Sequence, residues 1–327
     1  MTQKTSILDL IGNTPLIRLT HFDTGCCQLY IKLECNNPNG SIKDRTALNI
    51  INTAESKGEL KPGQEIIEAT AGNTGISLSA ICRAKGYQMN TVIPDKMSQE
   101  KIDLLKMMGA NVILTRSDVS RGHPDYYLDL AETLSQQKGY FYTNQFANKA
   151  NIEAHFKTTG PEIWQQTAGK VDAFVCGVGT GGTLTGAGRY LKAQKPRVEL
   201  ILADPEGSLL ADKVNNVPEK TPGSWLVEGI GEDFVPDNCD LSLADQAFTI
   251  SDQDAFRHTR ALFNRELILA GTSSGVLLAA ALRYCQQQTT PKTVVTLACD
   301  TGYRYLSKAF NHQWLEQHHL RGELESL

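Results

Sequence analysis

The sequence has no C-x-x-C pair among its eight cysteines and no H-E-x-x-H motif among its seven histidines. Zinc sites and disulfide frameworks in small secreted proteins are recognised by regularly spaced ligands or cysteines, and that spacing is missing here. We therefore expect no metal site, and we interpret most of the cysteines as small buried hydrophobic residues.

Long apolar runs and polybasic runs are also lacking. No apolar stretch approaches the roughly 18 residues that cross a bilayer, and the N-terminus has no signal-peptide pattern. Thirty-two Lys and Arg against 36 Asp and Glu give a net charge of −4, without the basic patch of a nucleic-acid binder. These absences predict a cytoplasmic protein that acts on small molecules and binds neither nucleic acid nor membrane.

What the sequence contains is an alternation of short β-rich runs and longer amphipathic runs over 327 residues, enough for about two domains. The predicted strands are 29–34, 64–69, 89–94, 110–115, 171–176, 198–203 and 293–298. The predicted helices are 43–57, 76–86, 98–109, 124–137, 183–194, 252–266 and 275–288. This alternation predicts an α/β fold with mostly parallel sheets flanked by helices, whose ligands bind at the carboxyl ends of the strands.

The strongest local signal is CGVGTGGT at residues 176–183, between a predicted strand and a predicted helix. Glycines let backbone N–H groups approach an anion closely, Thr180 and Thr183 add hydroxyl donors, and a helix N-terminus favours negative charge. The segment therefore predicts a phosphate cradle. It also matches G-x-G-x-x-G, with Asp204 about 20 residues further on, so a nicotinamide-binding site is an alternative.

Three further polar turns lead into predicted helices. EATAGNTG at 68–75 offers backbone amides that can hold a carboxylate, although such a turn also suits a simple helix cap. AGTSSG at 270–275 is a further polar turn before a predicted helix, and from the residues alone a Ser-capped helix start is the favoured interpretation. In SIKDR at 41–45, Lys43 lies at a helix N-terminus, where the dipole lowers the pKa of an amine and favours covalent chemistry.

Eight segments, taken in order, closely resemble the pyridoxal-phosphate-dependent cysteine synthase and cystathionine β-synthase family of the tryptophan-synthase-β-like fold. The resemblance extends from about residue 6 to residue 310. These segments are IGNTPLIRL, NPNGSIKDR, EATAGNTGISLS, GVGTGGT, ADPEGS, EGIGEDFVP, AGTSSG and ACDTGYRYLSK. The resemblance implies fold type II, with two domains that each contain a twisted, mostly parallel sheet. It also implies a smaller mobile domain at 40–148 that closes over substrate, a larger domain at 1–39 and 149–327 that anchors pyridoxal 5'-phosphate, and a homodimer.

The same resemblance implies a set of site residues. Lys43 is the Schiff-base lysine and general base, Asn73 meets the ring hydroxyl of the cofactor, and Ser273 meets its pyridine nitrogen. The residues expected to bind the cofactor are Lys43, Asn73, Gly179, Thr180, Gly181, Gly182, Thr183 and Ser273. The residues expected to bind the substrate are Thr70, Ala71, Gly72, Thr74, Gln145 and Gly229. Ala71 replaces the serine that is usual in the family.

Within the family, DPEGS at 204–208 and EGIGEDFVP at 228–236 look more like cystathionine β-synthases than dedicated sulfhydrylases. We therefore expect β-replacement on L-serine or O-acetyl-L-serine by homocysteine, giving cystathionine. Glu228 or Glu232 could meet the ammonium group of homocysteine, and the alternative is that either is a solvated loop carboxylate, which is the favoured interpretation for Glu232. Cysteine synthesis from O-acetylserine and sulfide is the alternative, and a nicotinamide-dependent oxidoreductase is a remote one.

Overall fold

The structure is a computed structural model that describes residues 5–70, 72–95, 97, 99–119, 122–218 and 221–320. The chain folds into two units, each with its own sheet. The smaller unit contains the residues up to Ile11 and Lys43–Asn151, and the larger unit contains Gly12–Ile42 and the chain from Ile152 onward. The predicted domain limits, and the predicted closure of the smaller domain, stay predictions.

The secondary structure alternates along the chain. The strands are β1 (Leu16–Arg18), β2 (Gln28–Lys32), β3 (Ile66–Ala69), β4 (Met89–Pro94), β5 (Asn111–Thr115), β6 (Phe141–Tyr142), β7 (Ala173–Cys176), β8 (Glu199–Pro205), β9 (Gln246–Ile250) and β10 (Thr293–Leu297). The α-helices are α1 (Lys43–Ser56), α2 (Asn73–Lys85), α3 (Gln99–Met107), α4 (Tyr127–Lys138), α5 (Lys149–Ala154), α6 (Gly160–Gln166), α7 (Gly182–Gln194), α8 (Leu210–Val214), α9 (Asp252–Glu266), α10 (Thr272–Gln286) and α11 (His312–Gln317). A π-helix, His155–Thr159, joins α5 to α6.

The smaller unit contains a four-stranded sheet in the order β5-β4-β3-β6, and every pairing in it is parallel. All four residues of β3 are buried, as are the first five of β4. Helices cover both faces of such a sheet, which explains why its central strands are buried on both sides. The apolar packing around it forms one larger and one smaller cluster. The carboxyl ends of β3 and β6, which are adjacent strands, lie at the same edge.

The larger unit contains a six-stranded sheet in the order β1-β2-β10-β7-β8-β9. Only the β1–β2 pairing is antiparallel, and the other four pairings are parallel. One hydrophobic core extends through this unit, and nearly every residue of α10 is buried in it. Because β7 and β10 are parallel neighbours, the loops that follow them leave the sheet at the same edge. This is the edge at which parallel sheets bind ligands.

The expected α/β class with parallel sheets is confirmed, and all seven predicted strands are found. The strands β1, β6 and β9 and the helical stretch from α5 to α6 were not predicted. The missed strands β1 and β6 have three and two residues, so their apolar pattern is too short to distinguish from a loop. The helices α8 and α11 were not predicted either, and Leu315 of α11 is fully buried.

None of the helices described here is both long and apolar enough to cross a membrane. The cysteines are less uniformly buried than expected. Cys27, Cys82, Cys176 and Cys285 are buried, while Cys26 is exposed and the remaining three are partly buried. Burial raises the pKa of the Cys82 thiol to about 12, so this cysteine is not a reactive thiolate at neutral pH.

Candidate active site

The glycine-rich loop of the larger unit connects β7 to α7. Gly181 has a φ of +85°, and a Cβ on this residue would lie 2.6 Å from the backbone nitrogen of Cys239. The hydroxyl of Thr185 donates to the carbonyl of Asn238 at 2.7 Å and accepts from the backbone N–H of Asp240 at 2.9 Å, which fixes that neighbouring segment of chain. Only glycine fits this part of the loop, so the loop can follow a tight path into the N-terminus of α7.

A second loop, residues 228–231, lies directly against the first. The N–H of Gly231 donates to the carbonyl of Val178 at 2.8 Å. A Cβ on Gly179 would lie 2.5 Å from the carbonyl oxygen of Gly229. This distance is well below van der Waals contact with an atom that cannot rotate away. The predicted substrate residue Gly229 therefore lies beside the predicted phosphate loop, and it is exposed.

The start of α10 also joins this cluster. The backbone N–H of Glu228 donates to the hydroxyl of Thr272 at 3.1 Å, and Thr272 is the first residue of α10. Ser273 follows it and is 3% exposed. The structure shows no hydrogen bond between the side-chain hydroxyl of Ser273 and any residue that it describes, whereas the next hydroxyl, that of Ser274, accepts from the N–H of Cys299 at 3.0 Å.

In the smaller unit, Lys43 is the first residue of α1 and is half-buried. The helix begins there because the preceding residues are held in extended backbone pairing in the larger unit, where the N–H of Ile42 donates to the carbonyl of Cys299 at 2.9 Å. Next to Lys43, the carboxylate of Asp44 is fully buried and accepts from the hydroxyl of Ser77 on α2 at 2.5 Å. This hydrogen bond links the first turns of α1 and α2.

The loop between β3 and α2, together with the first turn of α2, carries most of the other predicted residues of the smaller unit. Gly72 is the N-cap of α2 and Asn73 is its first residue. The hydroxyl of Thr74 donates to the side-chain oxygen of Gln145 at 2.6 Å, and the hydroxyl of Thr70 accepts from the N–H of Gly72 at 3.3 Å. These hydrogen bonds link Thr70 to Gly72 and Thr74 to Gln145, and the predicted role of the four residues in binding substrate stays a prediction. Ala71, which also belongs to the predicted substrate set, lies outside the described residues.

Two buried polar residues adjoin these loops and were not predicted as site residues. The His155 imidazole Nε2 lies 3.3 Å from the hydroxyl of Thr183, and its Nδ1 lies 2.9 Å from the hydroxyl of Thr159. Glu68 is fully buried behind the β3–α2 loop, and burial raises the pKa of its carboxyl to about 7. No local sequence pattern marks His155, because its contact with Thr183 spans 28 residues and depends on a π-helix.

Asp204, the acid on which the nicotinamide alternative depended, has a different role. It is fully buried at the end of β8, and its Oδ2 accepts from the N–H of Ala211 at 2.8 Å. Burial raises the pKa of this carboxyl to about 6. A carboxylate that binds ribose hydroxyls must face the ligand, whereas this one caps the first turn of α8.

The residues present fit pyridoxal 5'-phosphate. A phosphate bound at the loop from Gly179 to Thr183 would need close access to backbone N–H groups, and the packing at Gly179 and Gly181 leaves no room for side chains. Helix α7 begins within the loop, so its N-terminus also favours an anion. Ser273 presents a hydroxyl that can pair with the pyridine nitrogen of a ring. Among the described residues, no cluster of three His, Cys, Asp or Glu side chains is arranged to hold a metal ion.

Comparison with known proteins agrees with this fit. Residues 7–300 match the family model described as "Pyridoxal-phosphate dependent enzyme". Cysteine synthase 1 of Neurospora crassa is 43% identical over 322 residues, which are 96% of this chain and 85% of that protein. Cysteine synthase A of Escherichia coli K12 is 42% identical over 303 residues, which are 91% of this chain and 93% of that protein.

The solved structures give the same result for the fold. The crystal structure of O-ureido-L-serine synthase is similar to this chain with a TM-score of 0.88 and 35% sequence identity, covering 95% of this chain and 96% of that one. The sequence, the fold and the glycine-rich loop at 179–183 therefore all indicate pyridoxal 5'-phosphate as the cofactor. The chain belongs to the family of pyridoxal-phosphate-dependent enzymes with the tryptophan-synthase-β-like fold, and it is of the cysteine synthase type.

Proposed function

We propose that the protein is a cysteine synthase, which replaces the acetate of O-acetyl-L-serine with sulfide. From the sequence, homocysteine was the expected nucleophile and sulfide was the alternative. The curated relatives described above are cysteine synthases and cover more than nine-tenths of this chain, so they favour the alternative. They give no specific support to cystathionine synthesis.

The observation that carries the choice of nucleophile is the ion pair between Glu228 and Lys308. The Lys308 Nζ lies 2.7 Å from Oε1 of Glu228. The expectation of homocysteine depended on a carboxylate at 228 or 232 that could meet the ammonium group. At position 228 the carboxylate is already neutralised by a lysine of the same chain. Sulfide has no amino-acid end to be recognised, so it makes no such demand on the site.

The cofactor supplies an electron sink that stabilises negative charge at Cα of the amino acid. In our proposal Lys43 would hold the cofactor, and its side-chain amine would act as the general base for the Cα proton of the amino acid. The loop at 179–183 holds the phosphate, and Asn73 orients the ring. Ser273 is a neutral partner for the ring nitrogen, so it does not enforce a charged ring, and this favours loss of the β-substituent.

The substrate carboxylate would be held by the β3–α2 loop and Gln145. Thr70, Gly72 and Thr74 provide hydroxyl and backbone donors at the N-terminus of a 13-residue helix, where negative charge is favoured. Closure of the smaller domain over this carboxylate would then exclude water from the reacting centre. Closure remains a proposal, as do a homodimer and a cytoplasmic location. Light scattering tests the oligomeric state, and fractionation of cells tests the location.

The test is a product assay with two amino acids and two nucleophiles. O-acetyl-L-serine and L-serine are each supplied with sulfide and with homocysteine, and cysteine and cystathionine are separated and measured. We expect O-acetylserine with sulfide to be the fastest combination, because acetate departs without the proton that hydroxide needs. Lys43→Ala serves as the control for reaction without the enzyme's own base.

The proposal fails if homocysteine gives a higher kcat/KM than sulfide with either amino acid. In that case cystathionine synthesis, the activity first expected, replaces it. If neither nucleophile reacts although the amino acid changes the absorption of the bound cofactor, the enzyme uses another nucleophile. O-ureido-L-serine synthase, whose structure is similar to this chain, is an example of the same fold in an enzyme named for a different product.

A further inference from the structure

Glu68 is a buried carboxylate to which the proposed reaction assigns no task. It lies in β3, one residue before the strand ends, and it has no accessible surface. No ion pair to it occurs in the described parts of the chain. A carboxylate removed from water without a cation is costly unless hydrogen bonds compensate for the lost hydration. Its hydrogen bonds therefore indicate what this residue does.

Three donors meet the carboxylate of Glu68. Its Oε1 accepts from the N–H of Ala69 at 2.8 Å. Its Oε2 accepts from the hydroxyl of Thr143 at 2.6 Å and from the backbone N–H of Gln145 at 3.0 Å. Thr143 and Gln145 follow β6, the parallel neighbour of β3. Glu68 thus links the two loops that leave adjacent strands at the same edge of the sheet.

One of these loops carries Gln145, and Glu68 is among the groups that fix this residue. The backbone N–H of Gln145 donates to Glu68, and its carbonyl accepts from Asn151 Nδ2 at 2.9 Å. Its side-chain oxygen accepts from the hydroxyl of Thr74 at 2.6 Å. The side-chain amide oxygen of Gln145 faces Thr74. The amide nitrogen of the same side chain carries the N–H donors that a carboxylate can accept from.

We propose that Glu68 is a positioning residue for the substrate carboxylate, which it serves by holding Gln145 in register with the β3–α2 loop. The proposal rests on the function proposed above, because it assigns Thr74 and Gln145 to the carboxylate. Glu68 itself does not touch the substrate in this arrangement. Instead, Glu68 sets the distance between Thr74 and Gln145, the two residues assigned to the substrate. It does so through hydrogen bonds to residues that lie 75 and 77 positions away in the sequence.

The substitution that isolates this role is Glu68→Gln, which conserves shape. Above pH 7, where the carboxyl of Glu68 is mostly ionised, it offers only acceptors, whereas an amide has one acceptor oxygen and one donor nitrogen. In the variant, the amide nitrogen must face one of the donors that now meet Glu68. Either the N–H of Ala69 or that of Gln145 then loses its acceptor, and the loop carrying Gln145 can shift.

The readout is amino-acid affinity rather than turnover alone. We would titrate the cofactor-loaded protein with L-alanine, which has the carboxylate but no leaving group, and follow the absorption of the bound cofactor. We would also measure KM and kcat for O-acetylserine. Loss of one hydrogen bond corresponds to roughly 2- to 12-fold, so Kd and KM should rise by that factor while kcat and cofactor content change little.

Glu65→Gln is the matched control. Glu65 lies just before the amino end of β3, is partly exposed, and accepts from Asn90 Nδ2 at 2.9 Å. It undergoes the same chemical change away from the loops, so its Kd for L-alanine should equal that of the wild type. An unchanged Kd in Glu68→Gln, with a lowered melting temperature, would mean that Glu68 only stabilises the fold, and the proposal would be overturned.

A second pair of variants decides the question if Glu68→Gln does not fold. Thr143→Val removes one donor to Glu68 with little change in volume, and Thr143→Ser keeps that donor. The valine variant should weaken L-alanine binding and the serine variant should restore it. Equal affinities in the two variants would overturn the proposal. Because L-alanine binding does not depend on the nucleophile, failure of cysteine synthesis in the wild type is a separate result.

Discussion

Glu68→Gln should also remove a pH dependence of stability. Burial raises the pKa of this carboxyl from its ordinary value of 4.5 to about 7, and hydrogen bonds from Thr143, Gln145 and Ala69 oppose that rise. The folded protein therefore binds the proton more tightly than the unfolded chain does. Between pH 4.5 and 7 the folded state carries more protons, so stability falls as the pH rises through this window.

The size of the effect follows from the two pKa values. Between about pH 5.5 and pH 8, this single group lowers the free energy of unfolding by about 2 kcal/mol. A glutamine at position 68 is neutral throughout, so the difference in stability between wild type and Glu68→Gln should change by about 2 kcal/mol over that range. Tyr142, a titratable neighbour, stays neutral there because burial, and next the charge of Glu68, raise the pKa of its hydroxyl.

The assay is equilibrium unfolding in urea at about pH 5.5, 7 and 8 with saturating cofactor. Glu65→Gln, measured in parallel, subtracts the general effect of removing one negative charge from the same part of the chain. The reasoning is refuted if the difference between wild type and Glu68→Gln is constant across the three pH values. A change of the opposite sign would mean that the three hydrogen bonds outweigh burial and lower the pKa.

Three further predictions concern the residues of the proposed site. Lys43→Ala should keep the cofactor only non-covalently and lose turnover by several orders of magnitude; borohydride reduction and peptide mapping of the wild type should place the cofactor on Lys43, and finding it on another lysine would contradict the assignment. Gly179→Ala should lose bound cofactor on dialysis, measured by absorption, because its Cβ would lie 2.5 Å from the carbonyl oxygen of Gly229. Ala71→Ser should change KM for the amino acid by roughly 2- to 12-fold, as expected for one added hydrogen bond; an unchanged KM would mean that position 71 does not face the carboxylate.

The sequence by itself determined the class of fold and the location of the loops. A continuous apolar run such as AFVC in β7 predicts a strand buried on both faces, and glycines directly after it predict a loop that no side chain can fill. Both conclusions depend on neighbouring residues only, so they can be reached without knowing the rest of the chain. The family resemblance likewise depends on short segments, and the family comparison confirms it.

Only the tertiary structure decided which distant groups meet. The Glu228–Lys308 pair joins residues 80 positions apart, and it neutralises a carboxylate that had been assigned to homocysteine from the sequence. The raised pKa of Glu68 requires that β3 be buried, and the hydrogen bonds from Thr143 and Gln145 that oppose the rise require that β6, a strand of only two residues, pair beside β3. Burial and pairing across a sheet are properties of the whole packed chain, and for that reason no local pattern in the sequence could have given them.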